Sequence, residues 1–176
     1  MKKDKEKNFN TLSLICRIAG TVVLSVAILF ALPVTLPKLF GFRIYNVVTP
    51  SMVPALNPGS LVYVKETEAS EIGEGDIIAF ESDGEVVVHR AVENDTVFRE
   101  ITTKGDANET IDIYPVPYNK VIGKVVFNIP KAGTFFMYLS TAKGRITAAC
   151  FVLSGAILSF IGMPGKEDGE EEDDEK

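Results

Sequence analysis

The stretch DIIAFESDGEVVVHRAV, residues 76–92, decides the fold class of this chain. Two β-like runs, residues 76–80 and 85–92, flank the tripeptide SDG at residues 82–84. An Asp-Gly turn between two such runs is a strong indication of a β-hairpin. We therefore expect two antiparallel strands here, with His89 towards the end of the second strand.

Further short β-like runs lie on both sides of this hairpin. Residues rich in Gly, Pro, Asn and Asp separate them, as is typical of turns. Several short strands with close turns favour an antiparallel β-barrel or a paired-sheet domain, so the predicted fold class is mainly β. We see no convincing amphipathic helix in this region. The additional strands are predicted at residues 42–48, 61–65, 97–104 and 121–127, with turns at 57–59 and 93–95 and a loop at 105–108.

Two uncharged segments of 20 residues each enclose the β region, at residues 18–37 and 146–165. About 20 apolar residues suffice for a helix to cross a bilayer. We expect one transmembrane helix at each segment. A cleaved signal peptide is the alternative for the first segment, although 17 residues precede it. A hydrophobic hairpin or a buried core helix is the alternative for the second.

The charges outside these segments predict the orientation. The N-terminal residues 1–17 are rich in lysine, and the positive-inside tendency assigns them to the cytosol. We therefore expect the β domain at residues 38–145 on the extracytoplasmic side of the cell membrane, with membrane lipid as a partner. Residues 166–176 form a predicted disordered acidic tail, because like-charged runs repel themselves.

The sparse cysteines and the single histidine exclude several classes of site. Cys16 and Cys150 both lie at or within the apolar segments, so the β domain has no thiolate nucleophile and no internal disulfide. With one histidine in the chain, we expect no zinc site and no cofactor. No basic stripe with interleaved aromatic residues is present, and nucleic acid is not an expected partner.

A serine and the lone histidine suggest a nucleophile and its base. A serine hydroxyl needs a nearby base to remove its proton, and a histidine titrating near pH 6.5 suits that task. Ser51 opens the segment SMVPAL at residues 51–56, and His89 precedes Arg90. A carboxylate must also orient the imidazole, and Asp106 and Asp112 are both candidates. The plain alternative is that these residues merely form turns and an ordinary strand.

Three motifs in this order are similar to those of signal peptidase I. They are SMVPAL at residues 51–56, VHR at residues 88–90 and KGDAN at residues 104–108. In the main bacterial branch a lysine precedes the arginine. Here His89 stands in that place, and the chain therefore resembles the branch of the endoplasmic reticulum, archaea and some Gram-positive bacteria (peptidase family S26).

The resemblance implies a role for each candidate residue. Ser51 is the nucleophile, and His89 is the general base and acid. Asp112 matches the orienting acid and is favoured over Asp106, which matches a loop aspartate of the family. The Ser51 N–H and the Thr49 hydroxyl are the implied oxyanion donors. Two further residues, Met52 and Pro54, are expected either to shape the turn and the substrate cleft or simply to pack.

The implied function is that of a membrane-bound serine endopeptidase. It would remove signal peptides from exported preproteins, which makes those signal peptides its partners and the protein translocation machinery a further candidate. Ser51 follows Lys38 by 13 residues, so it lies within about 45 Å of that residue along the chain. The alternatives are a dedicated processing peptidase with a few substrates and a non-catalytic, membrane-anchored β binding domain.

Overall fold

The computed structural model of the protein describes residues 2–162, with the side chains of residues 11–162. The predicted acidic tail lies outside these residues, as do residues 163–165 of the second apolar segment. Besides two short 3₁₀-helices at Ala69–Glu71 and Tyr118–Lys120, ten α-helices and β-strands follow one another along the described chain. They are α1 (Lys2–Leu39), β1 (Phe42–Asn46), β2 (Leu61–Lys65), β3 (Ile77–Ser82), β4 (Glu85–Asp95), β5 (Glu100–Lys104), β6 (Val116–Pro117), β7 (Val121–Ile129), α2 (Ala132–Ser140) and α3 (Ala142–Ile161).

The seven strands form one antiparallel sheet in the order β1-β2-β7-β3-β4-β5-β6. The predicted mainly β, antiparallel class is confirmed. The sheet remains open, however, with β1 and β6 as its edges in the described part of the chain. Closure into a barrel would need a longer last strand, and β6 pairs only Val116 and Pro117 with β5. Proline has no N–H with which to continue a ladder.

The hairpin predicted from the SDG tripeptide is confirmed. Ser82 of β3 pairs with Glu85 of β4, which leaves Asp83 and Gly84 as a two-residue turn. Their φ angles are 51° and 81°. Both residues therefore adopt the left-handed backbone that a type I′ turn requires, and that turn matches the natural twist of the two strands.

The turn predicted at residues 93–95 is wrong, because β4 continues to Asp95 and β5 begins only at Glu100. The Asp95 carboxylate accepts hydrogen bonds from the N–H groups of Val97 and Phe98, at 2.8 and 2.9 Å. An aspartate that binds the following backbone in this way starts a turn after itself. The connection therefore lies at residues 96–99.

A helix in the region expected to be without one is a second difference. The helix α2 spans nine residues, which is too short for the sequence to show a clear helical period. Tertiary contact supports it: the Asn46 amide of β1 lies 3.7 Å from the sulfur of Met137. Helices of this length depend on packing, because their own propensity is insufficient in water.

Apolar side chains bury both faces of the sheet. On β3, Ile78 and Phe80 belong to one buried cluster, and Ala79 between them belongs to another. This alternation follows from the pleat, which turns successive side chains to opposite faces. The second cluster also contains Met52 and Leu56, so the turn after β1 is part of a packed core.

The chain divides into two compact units. One comprises residues 32–145 and contains the sheet. The other combines the chain up to Ala31 with the chain from Ile146, where α1 and α3 approach closely at Gly20 and Gly155. Thr11–Leu39 and Ala142–Ile161 are both long and apolar enough to cross a membrane. A signal sequence or a core helix meets the same criterion.

We predict that Asn94 stabilises the sheet domain through three hydrogen bonds. Its amide donates to the carbonyls of Ala69 and Ile72 at 2.9 and 2.8 Å, and it accepts from the Tyr118 hydroxyl at 2.6 Å. In Asn94→Ala these partly buried partners lose their bonds, which should lower the free energy of unfolding by about 2–3 kcal/mol. Thermal and urea unfolding of the detergent-solubilised chain measure this.

The matched control for Asn94→Ala is Tyr118→Phe, which removes one of the three bonds and keeps the ring. It should lower the free energy of unfolding by about 1 kcal/mol. An Asn94→Ala protein as stable as wild type would contradict the assignment.

Candidate active site

Ser51 lies in a turn that follows β1, and two buried apolar side chains of this turn pack into the core. Met52 and Leu56 are each 1% exposed and pack with Val62 of β2. Within the turn, the Leu56 N–H donates to the Met52 carbonyl at 2.8 Å. Ser51 itself is half-buried, so its hydroxyl stands at the edge of a rigid, packed segment.

His89 reaches Ser51 from the middle of the sheet. It lies on β4 opposite Ile78 of β3, and its ring meets the Phe80 ring edge to face at a centroid distance of 6.2 Å. The His89 Nε2 atom is 3.2 Å from the Ser51 Oγ atom. Only 12% of the His89 side chain is exposed, so strand pairing and packing hold the imidazole in one orientation.

Asp112 binds the other nitrogen of the same imidazole. Its Oδ2 atom is 2.5 Å from His89 Nδ1. An ionised carboxylate can only accept hydrogen bonds, so Nδ1 carries the proton that is shared with Asp112. The Nε2 atom is then the acceptor, and it faces the Ser51 hydroxyl. This tautomer is the one a general base needs.

Asp106, the other candidate acid, binds Arg90 instead of the histidine. Its two carboxylate oxygens accept from Arg90 Nε and Nη2 at 2.8 and 2.6 Å, and Arg90 Nη1 donates to the Gly75 carbonyl at 2.7 Å. The hydrogen bond to Asp106 raises the pKa of the Arg90 guanidinium, although burial opposes this. Arg90 therefore stays charged, and the pair ties the loop after β5 to β4.

The same loop also holds the backbone of the turn that contains Ser51. The Ala107 N–H donates to the Ser51 carbonyl at 2.8 Å, and the Asn108 N–H donates to the Gly105 carbonyl at 2.9 Å. A Cβ atom at Gly105 would lie 2.7 Å from the Ser51 oxygen. Glycine is therefore required for this approach of two backbones, which gives the Gly-Asp pair of the KGDAN motif a physical basis.

The remaining candidates have different surroundings. The Thr49 hydroxyl lies 3.3 Å from Ser51 Oγ, on the outer side of the turn. Pro54 is exposed on the same turn. Met52 is buried in the core. Its position therefore fits the predicted packing role and not a role in lining the substrate cleft. The structure thus brings Ser51, His89, Asp112 and Thr49 together. Asp106 contacts Arg90, the neighbour of His89, and not His89 itself.

An open cleft of about 480 Å³ borders this cluster. His89 and Asp112 lie in its wall, with apolar side chains around them. Within residues 11–162, no group of three or more His, Cys, Asp or Glu residues could hold a metal ion. The rest of the lining consists of the apolar or aromatic residues Phe80, Val87, Ile111, Ile113 and Tyr114 and the polar residues Ser82, Asn108 and Thr110.

Residues 36–126 match the Peptidase S24-like family. This range is more than half of the 176 residues and contains every candidate residue named above. The chain belongs to the Peptidase S24-like family.

A second comparison extends this S24-like assignment. Over 87 residues the chain is 39% identical to Signal peptidase I W of Bacillus subtilis (strain 168), a match that covers 46% of this chain and 44% of the relative. The chain thus matches less than half the length of that curated relative. The likeness agrees with the resemblance to signal peptidase I drawn from the three motifs.

One site residue of this S24-like protein was missed in the sequence, namely Thr103 of β5. Its hydroxyl donates to Asp112 Oδ2 at 2.7 Å, and the residue is fully buried. A signal was present: Thr103 follows Ile101 by two positions, so both point to the same face of the strand. A hydroxyl on a core-facing position must find a partner, because an unpaired buried polar group is costly.

We predict that Gly105→Ala destabilises the chain because the new methyl group would overlap the Ser51 carbonyl and the Asn108 amide. Overpacking of this kind lowers the free energy of unfolding by about 1–3 kcal/mol. Gly73→Ala is the matched control, since its Cβ would meet only Asp76 Oδ2 at 3.7 Å, an ordinary contact. Thermal unfolding of both variants measures the difference, and equal melting temperatures would contradict the close approach.

Proposed function

We propose that this protein is a membrane-anchored serine endopeptidase that removes signal peptides from exported preproteins. The observation that carries the proposal is the chain of contacts from Ser51 Oγ through His89 to Asp112, with distances of 3.2 and 2.5 Å. A nucleophile, a base and an orienting acid in this order are what acyl transfer through a serine requires.

The first step is attack by Ser51 Oγ on the carbonyl of the scissile peptide bond. His89 Nε2 takes the hydroxyl proton as the new C–O bond forms, which makes the imidazole a cation. Asp112 stabilises that cation through Nδ1–H and remains ionised. The small exposure of both side chains, 12% and 24%, strengthens this interaction because less water screens it.

The carbonyl oxygen becomes an oxyanion in this step and needs donors. We assign that role to the Ser51 N–H and the Thr49 hydroxyl. The Thr49 oxygen is 3.3 Å from Ser51 Oγ, close enough for its O–H to turn towards an oxygen on the attacked carbon. One such donor contributes about 3 kcal/mol to the stability of the transition state.

The intermediate then collapses with loss of the amine. His89 returns its proton to the leaving nitrogen, which frees the N-terminus of the mature protein and leaves the signal peptide as an ester on Ser51. Water enters, His89 removes its proton, and attack on the ester releases the signal peptide and restores the Ser51 hydroxyl. No cofactor takes part in these steps.

The substrate class is supported by two observations. The curated relative is a signal peptidase. Both predicted anchor segments also form helices of sufficient length and apolarity for a membrane. A site on a short connection from such an anchor would meet a signal peptide where its own apolar segment ends. We further propose that residues 18–37 and 146–165 span the cell membrane and that residues 38–145 form the extracytoplasmic catalytic domain.

The branch of the family is part of the same proposal. His89 precedes Arg90, where the main bacterial branch has lysine, and the Nδ1 atom of His89 is bonded to a carboxylate. A lysine base has no second nitrogen and no tautomer for a carboxylate to fix, so it would not require this acid. We therefore propose the endoplasmic-reticulum and archaeal type of mechanism, with Asp112 as the orienting acid and Asp106 as a structural one.

The test is cleavage of a model preprotein by the full chain in detergent. Ser51→Ala, His89→Ala and Asp112→Ala should each lower kcat/KM by about 10⁴-fold, since each removes one member of the catalytic unit. Asp106→Ala should lower it by about tenfold to a hundredfold, because it displaces the loop without removing a reacting group. The exposed Ser70 supplies the control, and Ser70→Ala should cleave like wild type.

Full activity of Ser51→Ala would exclude the peptidase and leave a binding domain. Cleavage of only one or a few preproteins by the wild type would favour the dedicated processing peptidase instead.

The pH dependence distinguishes the proposed base from a lysine. An imidazole base is inactive once protonated, so kcat/KM should fall on acidification. Lysine amines as a class lose their proton only at strongly alkaline pH. The neighbouring Lys104, whose Nζ donates to the Glu109 carbonyl at 3.2 Å, is the alternative base. A rate that appears only above about pH 9 would contradict the role of His89.

A further inference from the structure

Two donors converge on one oxygen of Asp112. Its Oδ2 atom accepts from His89 Nδ1 at 2.5 Å and from the Thr103 hydroxyl at 2.7 Å. Thr103 is fully buried, so no water competes for its hydroxyl. The oxygen that faces the imidazole is therefore held from a second direction by a residue outside the nucleophile–base–acid series.

Thr103 also binds the backbone of Asp112. The Asp112 N–H donates to the Thr103 carbonyl at 2.8 Å. Thr103 itself is fixed on β5, opposite Ala91 of β4, and Ile101 on the same strand is buried in the core. One strand residue thus sets both the backbone position of Asp112 and the direction of its carboxylate.

We propose that Thr103 is a positioning residue of the peptidase reaction, acting through Asp112 on His89. The inference rests on the proposed function, which supplies the reaction. The hydroxyl does two things: it keeps Oδ2 directed at His89 Nδ1, and it withdraws negative charge from that oxygen by hydrogen bonding.

The second effect makes the proposal testable by pH. A carboxylate that loses a donor becomes more basic and stabilises the imidazolium more strongly. The acidic limb of the rate profile would then move to higher pH. On β3, Ile78 lies opposite His89 and the Phe80 ring contacts the imidazole. The charged residues on the elements around His89 are Glu81 on β3, Glu85, Arg90, Glu93 and Asp95 on β4, Glu100 and Lys104 on β5, and Asp106, Glu109 and Asp112 on the following loop. Of these, Asp112 binds the imidazole, and Arg90 is paired with Asp106.

The experiment compares Thr103→Val, Thr103→Ser and Thr102→Val in preprotein cleavage by the full chain in detergent. Thr103→Val keeps the shape and removes the hydroxyl. It should lower kcat by about tenfold, the equivalent of one charge-assisted hydrogen bond, with KM within about twofold of wild type. Its acidic limb should move to higher pH than that of wild type.

The other two variants are the controls. Thr103→Ser retains the hydroxyl and should restore both kcat and the pH profile. Thr102 lies next to it on β5 with its side chain on the opposite face, so Thr102→Val should cleave like wild type. Thermal unfolding of each variant accompanies the kinetics. If Thr103→Val does not fold, Thr103→Ala gives the same comparison with serine.

Two results would overturn the inference while leaving the proposed function intact. One is an active wild type with Thr103→Val matching Thr102→Val in kcat and pH profile. The other is Thr103→Ser as impaired as Thr103→Val, which would mean that packing by the missing methyl group matters and the hydroxyl does not. A wild type that cleaves no preprotein would overturn the proposed function and the inference together.

Discussion

The loop at residues 105–112 is the constraint on which the candidate site depends. It leaves β5 at Lys104 and returns to the same strand through the hydrogen bond from Asp112 to Thr103. Between these points it holds the carbonyl of Ser51 and the side chain of Arg90. Because one short loop contacts both the turn that contains Ser51 and the strand β4 that carries His89, it fixes the distance between these two segments.

The two aspartates of this loop bind different side chains. Asp106 makes a bidentate ion pair with Arg90, in which both carboxylate oxygens accept hydrogen bonds from the guanidinium. Asp112 presents one oxygen to the imidazole. Arginine matches a carboxylate geometrically in a way that histidine does not, since its planar fork offers two parallel donors. The neighbouring residues His89 and Arg90 therefore select different partners, and neither acid can easily replace the other.

Much of the fold follows from patterns of short range. The hairpin turn at Asp83 and Gly84 is specified by the need for positive φ angles, which local residue types satisfy. The two errors arose where local patterns were ambiguous. Asn94 looks like a turn residue, but it lies in β4 because its side chain bonds to Ala69, Ile72 and Tyr118. The helix α2 is short, and its stability depends on its packing against β1.

The candidate residues divide in the same way. Residue type alone singles out His89, because this chain has one histidine. Ser51 was identified through the resemblance of the SMVPAL and VHR motifs to those of signal peptidase I. Only the tertiary structure shows that Asp112 contacts His89 while Asp106 contacts Arg90. It also shows that Met52 is buried and that Thr103 lies beside Asp112. These depend on where a loop returns to a strand and which hydrogen bonds it completes. Such contacts join residues that are separated in sequence. They produce no periodic pattern of residue types, so the sequence alone does not reveal them.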